Sequence, residues 1–124
     1  MITVNLNTEP FTAVNITRVR GDTKKINLTV TSGSVDTPTP VDLTLWSAFY
    51  LTVDPSKNPA NNLNNVEQII GVIESATDGT VSFTPDPTTT AGIYWFDIQA
   101  TDADGGIWTL AMGKYSLIQD ITKE

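Results

Sequence analysis

Carboxylates are the main reactive groups of this 124-residue chain, which has 14 Asp and Glu residues but no histidine and no cysteine. Without histidine, the chain lacks the usual general base near neutral pH and the commonest metal ligand. Without cysteine, it forms neither disulfides nor thiolate nucleophiles. A glycosidase pair needs one carboxyl group with a raised pKa in a closed cleft, but most of these acids stand at predicted turns and strand ends. We therefore expect no enzymatic activity and no catalytic or cofactor-binding residue.

Asp102, Asp104 and Gly105 have the spacing that opens a calcium-binding loop. The further ligand and the terminal Glu of an EF-hand loop are both missing. An Asp-Gly pair between two apolar stretches is typical of a β-hairpin turn. We predict a turn at this position and no metal site.

Arg18 and Arg20 are two of only seven cationic side chains, and Arg20-Gly21-Asp22 spells an integrin-binding tripeptide. Three residues match often by chance, and these three also have the composition of a turn. We interpret residues 20–22 as a turn. Both arginines are candidates for a salt bridge with a partner, beside the simpler interpretation that they lie on a solvated strand edge.

The formal net charge of −7 limits the kinds of partner that the chain attracts. Phosphate backbones and anionic lipid surfaces repel such a chain, so we expect neither a nucleic-acid nor a membrane partner. Residues 1–7 lack the basic region and apolar core of a signal peptide. No apolar run approaches the ~20 residues that cross a bilayer. The sequence predicts synthesis in a cytoplasm without secretion.

The elements that must position these groups are predicted to be strands. The chain holds 20 Thr, 10 Val and 11 Ile, a third of its residues, and β-branched side chains favour pleated strands. No window keeps an apolar period of 3.6 residues over three turns, so helix should be scarce. Seven to nine strands with regularly spaced turns predict an all-β fold, an immunoglobulin-like antiparallel β-sandwich. Residues 1–10 are predicted as an N-terminal arm or edge strand, and residues 11–124 as a single sandwich domain.

Alternation of apolar and polar residues identifies the buried faces of two strands. Residues 66–73 are predicted to form a further strand with a bend at Gly71. Gly113 is predicted to mark a bulge or kink in the last strand. The residues expected to face inward from the two alternating strands are Ile26, Leu28, Val30, Phe49, Leu51 and Val53.

Two long strands, residues 92–101 and 107–115, are predicted on either side of the turn at residues 102–106. Gly92 and Tyr94 at the start of the first strand match the tyrosine corner of immunoglobulin-like sandwiches. Phe96 then stands where such a domain carries a disulfide cysteine, so packing alone should hold the fold together.

Four aromatic residues are candidates for binding a partner: Trp46, Tyr50, Trp95 and Trp108. If Tyr50, Trp95 and Trp108 line one sheet face, they could stack sugars, as in carbohydrate-binding modules. Exposed indoles also anchor protein interfaces, and loops that cover both faces would bury these residues. The sequence leaves the three interpretations open.

Residues 16–122 resemble structural domains of tailed-phage virions. They are similar to the N-terminal domain of siphophage upper baseplate proteins and to small immunoglobulin-like virion proteins. The baseplate relatives continue into a coiled shaft or a receptor-binding module, whereas this chain stops just after its last predicted strand. The segments that carry the resemblance are Arg20-Gly21-Asp22-Thr23, Ile26-x-Leu28-x-Val30, Pro40-Val41-Asp42-Leu43-Thr44, Asp78-Gly79-x-Val81-x-Phe83, Gly92-x-Tyr94-x-Phe96-Asp97-Ile98, Asp104-Gly105, Thr109-Leu110 and Gly113-x-Tyr115.

The resemblance implies a non-enzymatic structural component of a virion that is made in the host cytoplasm. It would be a capsid decoration (cement) protein or a small neck, tail or baseplate adaptor. Its expected partners are other virion proteins, such as the major capsid, tail or baseplate protein, and further copies of itself in a homo-oligomer or lattice. The alternative hypothesis is a carbohydrate-binding module with a glycan ligand, which would use exposed aromatics on a sheet face.

Overall fold

The computed structural model describes residues 2–7, 11–34, 36–56 and 65–119. These residues include no helix that is long and apolar enough to cross a membrane. Eleven strands lie in these ranges, more than the predicted seven to nine, because residues 11–19 and 66–73 each form two short strands and residues 38–40 add another. The strands are β1 (Ile2–Asn5), β2 (Thr12–Ala13), β3 (Ile16–Val19), β4 (Ile26–Gly33), β5 (Pro38–Pro40), β6 (Ala48–Asp54), β7 (Glu67–Ile70), β8 (Val72–Ser75), β9 (Thr80–Phe83), β10 (Gly92–Thr101) and β11 (Ile107–Ile118).

The strands form two sheets that pack as a sandwich. The first sheet has the order β1-β4-β9-β8, with β5 also paired to β4. The second sheet has the order β2-β11-β10-β6-β7, with β3 also paired to β11. Strands β4, β9 and β8 correspond to B, E and D of an immunoglobulin domain, and β11, β10, β6 and β7 to G, F, C and C′. The predicted all-β, immunoglobulin-like sandwich is confirmed.

The N-terminal segment adds a strand at the edge of the first sheet. Strand β1 pairs with β4 in parallel, from Ile2 opposite Leu28 to Asn5 opposite Thr31. Ile2 and Val4 are buried against the core, so apolar contacts hold this strand to the sandwich. Of the two alternatives for residues 1–10, residues 2–5 form an edge strand, and residues 1 and 8–10 lie outside the described residues.

The inner faces of the two sheets meet in one apolar core. The alternation predicted for two strands is confirmed, because Leu28, Val30, Phe49, Leu51 and Val53 are each 2% exposed or less. Ile26 is partly buried and packs against the same core. Because side chains alternate along a strand, the buried set fixes which residues face away from the core.

The tyrosine corner at the start of β10 is confirmed. The Tyr94 hydroxyl donates a hydrogen bond of 2.6 Å to the carbonyl oxygen of Thr90, four residues upstream. Phe96, at the position of a disulfide cysteine, is 3% exposed. Its ring meets that of Tyr115 edge-on, with centroids 6.3 Å apart. The cysteine position is therefore filled by a ring that packs on a neighbouring strand of the same sheet, since β10 and β11 are paired, and not by a bond between the two sheets.

Gly71 is the point at which the chain passes from one sheet to the other. The prediction of one bent strand over residues 66–73 is wrong, because β7 pairs with β6 in the second sheet and β8 pairs with β9 in the first. A Cβ at Gly71 would lie 2.8 Å from side-chain atoms of Phe49, Val81 and Phe83. The crossing therefore needs glycine because the backbone passes directly over the core.

A bulge interrupts the last strand, but it does not lie at Gly113. The register between β10 and β11 shifts where Ile98 faces Ala111 and Gln99 faces Thr109, which leaves Leu110 as the extra residue. A Cβ at Gly113 would lie 1.7 Å from the carbonyl oxygen of Val14. Gly113 thus permits a close approach of the segment between β2 and β3, and the predicted bulge or kink at that residue is wrong.

Candidate functional site

Two of the four aromatic candidates lie on the outer face of the second sheet, the face that points away from the core. Trp95 is aligned with Asp54 of β6, and Tyr50 is aligned with Gln99 of β10. The pair Trp95–Asp54 and the pair Gln99–Tyr50 are four residues apart, which is about 14 Å along the strands. Trp95 is half-buried and Tyr50 is exposed. The pair leaves a wide gap rather than a continuous aromatic platform.

The other two tryptophans pack on the inner side. Trp108 is aligned with Ala100, which is 2% exposed, so its indole points toward the core. The ring of Trp46, which precedes β6, stacks on Phe49 with centroids 5.7 Å apart. The hypothesis that Trp108 shares one sheet face with Tyr50 and Trp95 is therefore wrong. The bulge at Leu110 causes the error, since an extra residue reverses the alternation along the strand.

The hairpin turn at residues 102–106 uses both oxygens of the Asp102 carboxylate. One oxygen accepts hydrogen bonds from the backbone N–H groups of Asp104 and Gly106 at 3.0 and 2.8 Å. The other accepts a bond from the Trp108 indole N–H at 2.9 Å. These bonds, first that from Trp108, lower the pKa of Asp102. Among the described residues, no group of three or more acidic side chains could hold a metal ion.

The two candidate arginines bind carbonyl groups of their own chain. Arg18 donates to the carbonyl oxygens of Lys24 and Asp22 at 2.8 and 3.0 Å. Arg20 donates to the carbonyl oxygen of Thr89 at 3.1 Å. The bonds of Arg18 close the predicted turn at residues 20–22, and the bond of Arg20 ties this turn to the loop before β10.

A groove of about 330 Å³ lies on the outer face of the second sheet beside Trp95. We call it the outer groove. Apolar groups supply most of its wall, which also carries two carboxylates and the polar side chains of Thr52, Ser56 and Asn65. Its other lining residues include Phe11, Ala13, Asp54, Trp95, Asp97 and Met112.

The two carboxylates of the outer groove differ in their surroundings. Asp54 is 5% exposed, and its Oδ1 accepts a hydrogen bond of 2.8 Å from the backbone N–H of Ser56. Its buried Oδ2 accepts no hydrogen bond from any described residue. Asp97 is half-buried, and this burial raises the pKa of its carboxyl group. Asp97 is aligned with Thr52, two residues before Asp54, so the two acids are diagonal neighbours about 7 Å apart.

Among the described residues, no further strand pairs with one side of the sandwich. We call this open strand edge the side edge and define it as residues 66–75. Strand β7 is the last strand of the second sheet, and β8 is the last strand of the first. Ile70 and Val72 on this edge are 70% and 58% exposed, and Val66 is 40% exposed. The Gly71 N–H donates inward to the Phe49 carbonyl at 2.8 Å. Because antiparallel pairing alternates, the peptide groups of Ile70 face away from β6.

Neither the outer groove nor the side edge was predicted from the sequence. In the sequence, Asp54 stands next to Pro55, and Asp97 stands between the apolar residues Phe96 and Ile98. A carboxylate within a long apolar strand is a signal that could have identified the groove, since ionised groups avoid half-buried positions. The exposure of Ile70 depends on the sheet crossing at Gly71, which the strand pattern did not reveal.

No family model matches the chain, and no curated protein matches it. A search of solved structures finds the fibronectin(III)-like modules of Clostridium thermocellum CbhA, with a TM-score of 0.38 and 13% identity over 96% of this chain and 98% of that one. It also finds the 2,6-sialyltransferase of Photobacterium sp. JT-ISH-224, with a TM-score of 0.33 and 12% identity over 90% of this chain and 19% of that one. Similarity at this level carries no argument about function.

Proposed function

We propose that the chain is a non-enzymatic structural component of a tailed-phage virion. It binds other virion proteins as a capsid decoration protein or as a small neck, tail or baseplate adaptor. The observation that best supports this proposal is the side edge, where Ile70 and Val72 are 70% and 58% exposed at the ends of both sheets. An open edge with β-branched apolar residues is a surface to which a second chain adds a strand.

The composition of the side edge favours a protein partner. Natural sandwiches protect an open edge with charges, proline or a covering loop. Among the described residues of this edge, Glu67 is buried and Glu74 is paired with Lys25 at 3.4 Å. Repeated virion subunits offer many copies of one complementary strand, so even weak addition at each copy would be reinforced by the lattice.

A pair of matched substitutions tests the proposal. Ile70→Lys places a charge on the side edge, and Ile107→Lys places the same charge on another exposed isoleucine, which is 74% exposed at the start of β11. Each fluorescently labelled protein is mixed with virions purified from the source culture and depleted of the native chain. Co-sedimentation then measures the bound fraction. We expect Ile70→Lys to lower binding by about tenfold or more and Ile107→Lys to bind like the wild type.

Two results would count against the proposal. Equal binding of both variants would exclude the side edge as the contact. Absence of any wild-type binding, together with quenching of the tryptophan fluorescence by a soluble glycan, would favour the carbohydrate-binding alternative. That alternative now depends on Trp95 and Tyr50 alone, because Trp46 and Trp108 pack against the core.

A further inference from the structure

The buried carboxylate oxygen of Asp54 lacks a hydrogen-bond donor among the described residues. Asp54 is 5% exposed and lines the outer groove, and its Oδ2 accepts no hydrogen bond there. An ionised oxygen removed from water without a donor is unfavourable. A ligand that brings N–H donors and positive charge to the Asp54 carboxylate would offset that penalty.

Asp97 places a second carboxylate on the same side of the groove. The β6–β10 register makes Asp54 and Asp97 diagonal neighbours on one sheet face, at a separation of about 7 Å. Both acids line the groove. Thr52, Ser56 and Asn65 also line the groove, but no group of three or more acidic side chains among the described residues could hold a metal ion, and a calcium ion needs six to eight oxygen ligands. An organic cation with several N–H donors fits this arrangement better.

The remaining walls of the groove suit the planar, weakly hydrated cation of arginine. Trp95 offers an indole for cation–π stacking, and Phe11, Ala13 and Met112 offer apolar surface for an aliphatic stem. A guanidinium group stacks on aromatic rings and binds carboxylates in a bidentate manner, whereas the ammonium of lysine is more strongly hydrated. The net charge of −7 also attracts a basic partner.

We infer that the outer groove binds the arginine side chain of a partner polypeptide, between the carboxylates of Asp54 and Asp97 and against the indole of Trp95. This inference concerns the outer groove, whereas the proposed virion role is supported by the side edge. The two can therefore be tested separately.

Titration of the isotope-labelled full chain with the peptide acetyl-Gly-Arg-Gly-amide tests this inference. The reference peptide replaces arginine with citrulline, which keeps the shape of the side chain and removes its charge. Nuclear magnetic resonance follows the indole N–H of Trp95 and the methyl group of Met112. A single anchored side chain should bind with a dissociation constant on the order of 1 mM, and the citrulline peptide should bind about tenfold more weakly or not at all.

Three substitutions complete the design. Asp97→Asn and Asp54→Asn should each weaken arginine binding by about tenfold. Asp104→Asn, which removes an exposed carboxylate from the distant hairpin turn, should leave binding unchanged. Asp97 is only half-buried, so its variant keeps the test valid if Asp54→Asn does not fold.

Three results would overturn the inference. Equal binding of the arginine and citrulline peptides would show that the groove does not recognise the positive charge of the side chain. Equal weakening by Asp104→Asn and Asp97→Asn would show general attraction to an acidic surface. Unchanged signals of Trp95 and Met112 at about ten times the expected dissociation constant would show that the groove binds no arginine side chain.

Discussion

Gly71 carries the crossing between the two sheets, and Gly71→Ala should destabilise the protein. The added Cβ would lie 2.8 Å from side-chain atoms of Phe49, Val81 and Phe83. Because these three neighbours are each 2% exposed or less and belong to both sheets, they have little room to move. Overpacking of a core costs about 1–3 kcal/mol. Replacing glycine by alanine restricts the unfolded chain and offsets about 0.4–1 kcal/mol of this. The net loss should be about 1–2 kcal/mol.

Gly92→Ala is the matched control for this substitution. A Cβ at Gly92 would meet its nearest atom, the Tyr94 hydroxyl oxygen, at 3.4 Å, which is an ordinary contact. This variant should therefore be unchanged or stabilised by about 0.4–1 kcal/mol. Urea unfolding followed by tryptophan fluorescence measures both variants, and the Gly71→Ala midpoint should fall by roughly 0.5–1 M. Equal stability of the two variants would refute a tightly packed sheet crossing at Gly71.

Three further predictions concern hydroxyl and carboxyl groups. Tyr94→Phe removes the bond to Thr90 and should cost about 0.5–1.5 kcal/mol in urea unfolding; no loss would contradict the tyrosine corner. Burial and the nearby Glu67 charge raise the pKa of Tyr115 to about 12. The folded phenol keeps a proton that the unfolded chain releases above pH 10, so wild type should lose about 1–2 kcal/mol by pH 12, with allowance for solvent screening. Tyr115→Phe should retain that stability in alkaline urea titrations, and a parallel loss would contradict the assignment. Burial raises the pKa of Asp97, so wild-type stability should fall as pH rises from 3.8 through the folded pKa. Asp97→Asn should therefore be the more stable protein at pH 7 but not at pH 3, and a lower melting temperature of this variant at pH 7 would refute the reasoning.

The strands that alternate regularly could be predicted from the sequence, because burial of one face leaves a direct mark on the residue pattern. Leu28 and Val30 in β4, and Leu51 and Val53 in β6, point inward as expected. The tyrosine corner was predictable for a similar reason. Its Gly92-x-Tyr94 spacing depends on local backbone geometry, which needs no information from distant residues.

Features that depend on contacts between distant residues escaped prediction. Gly71 gave a correct signal of a backbone irregularity, but only the pairing partners of β7 and β8 reveal that the two strands lie in different sheets. The single extra residue Leu110 moved Trp108 from the outer face to the inner face. One bulge was thus enough to exclude Trp108 from the sugar-stacking sheet face, which was one of the three interpretations that the sequence left open.

The outer groove was equally hidden from the sequence. Asp54 and Asp97 are 43 positions apart in the printed numbering and become neighbours only through the β6–β10 register. Strand pairing is not encoded by the alternation of either strand alone. A pair of carboxylates that meet across two strands therefore becomes visible only in the folded chain.

Quantitative mass spectrometry of purified virions from the source culture tests the central claim most directly. The copy number of this chain is measured against that of the major capsid protein. We predict that the chain is present, with hundreds of copies if it decorates the head lattice and a few to some dozens if it belongs to the neck, tail or baseplate. Absence of the chain from virions that retain their capsid, tail and baseplate proteins would contradict the proposal.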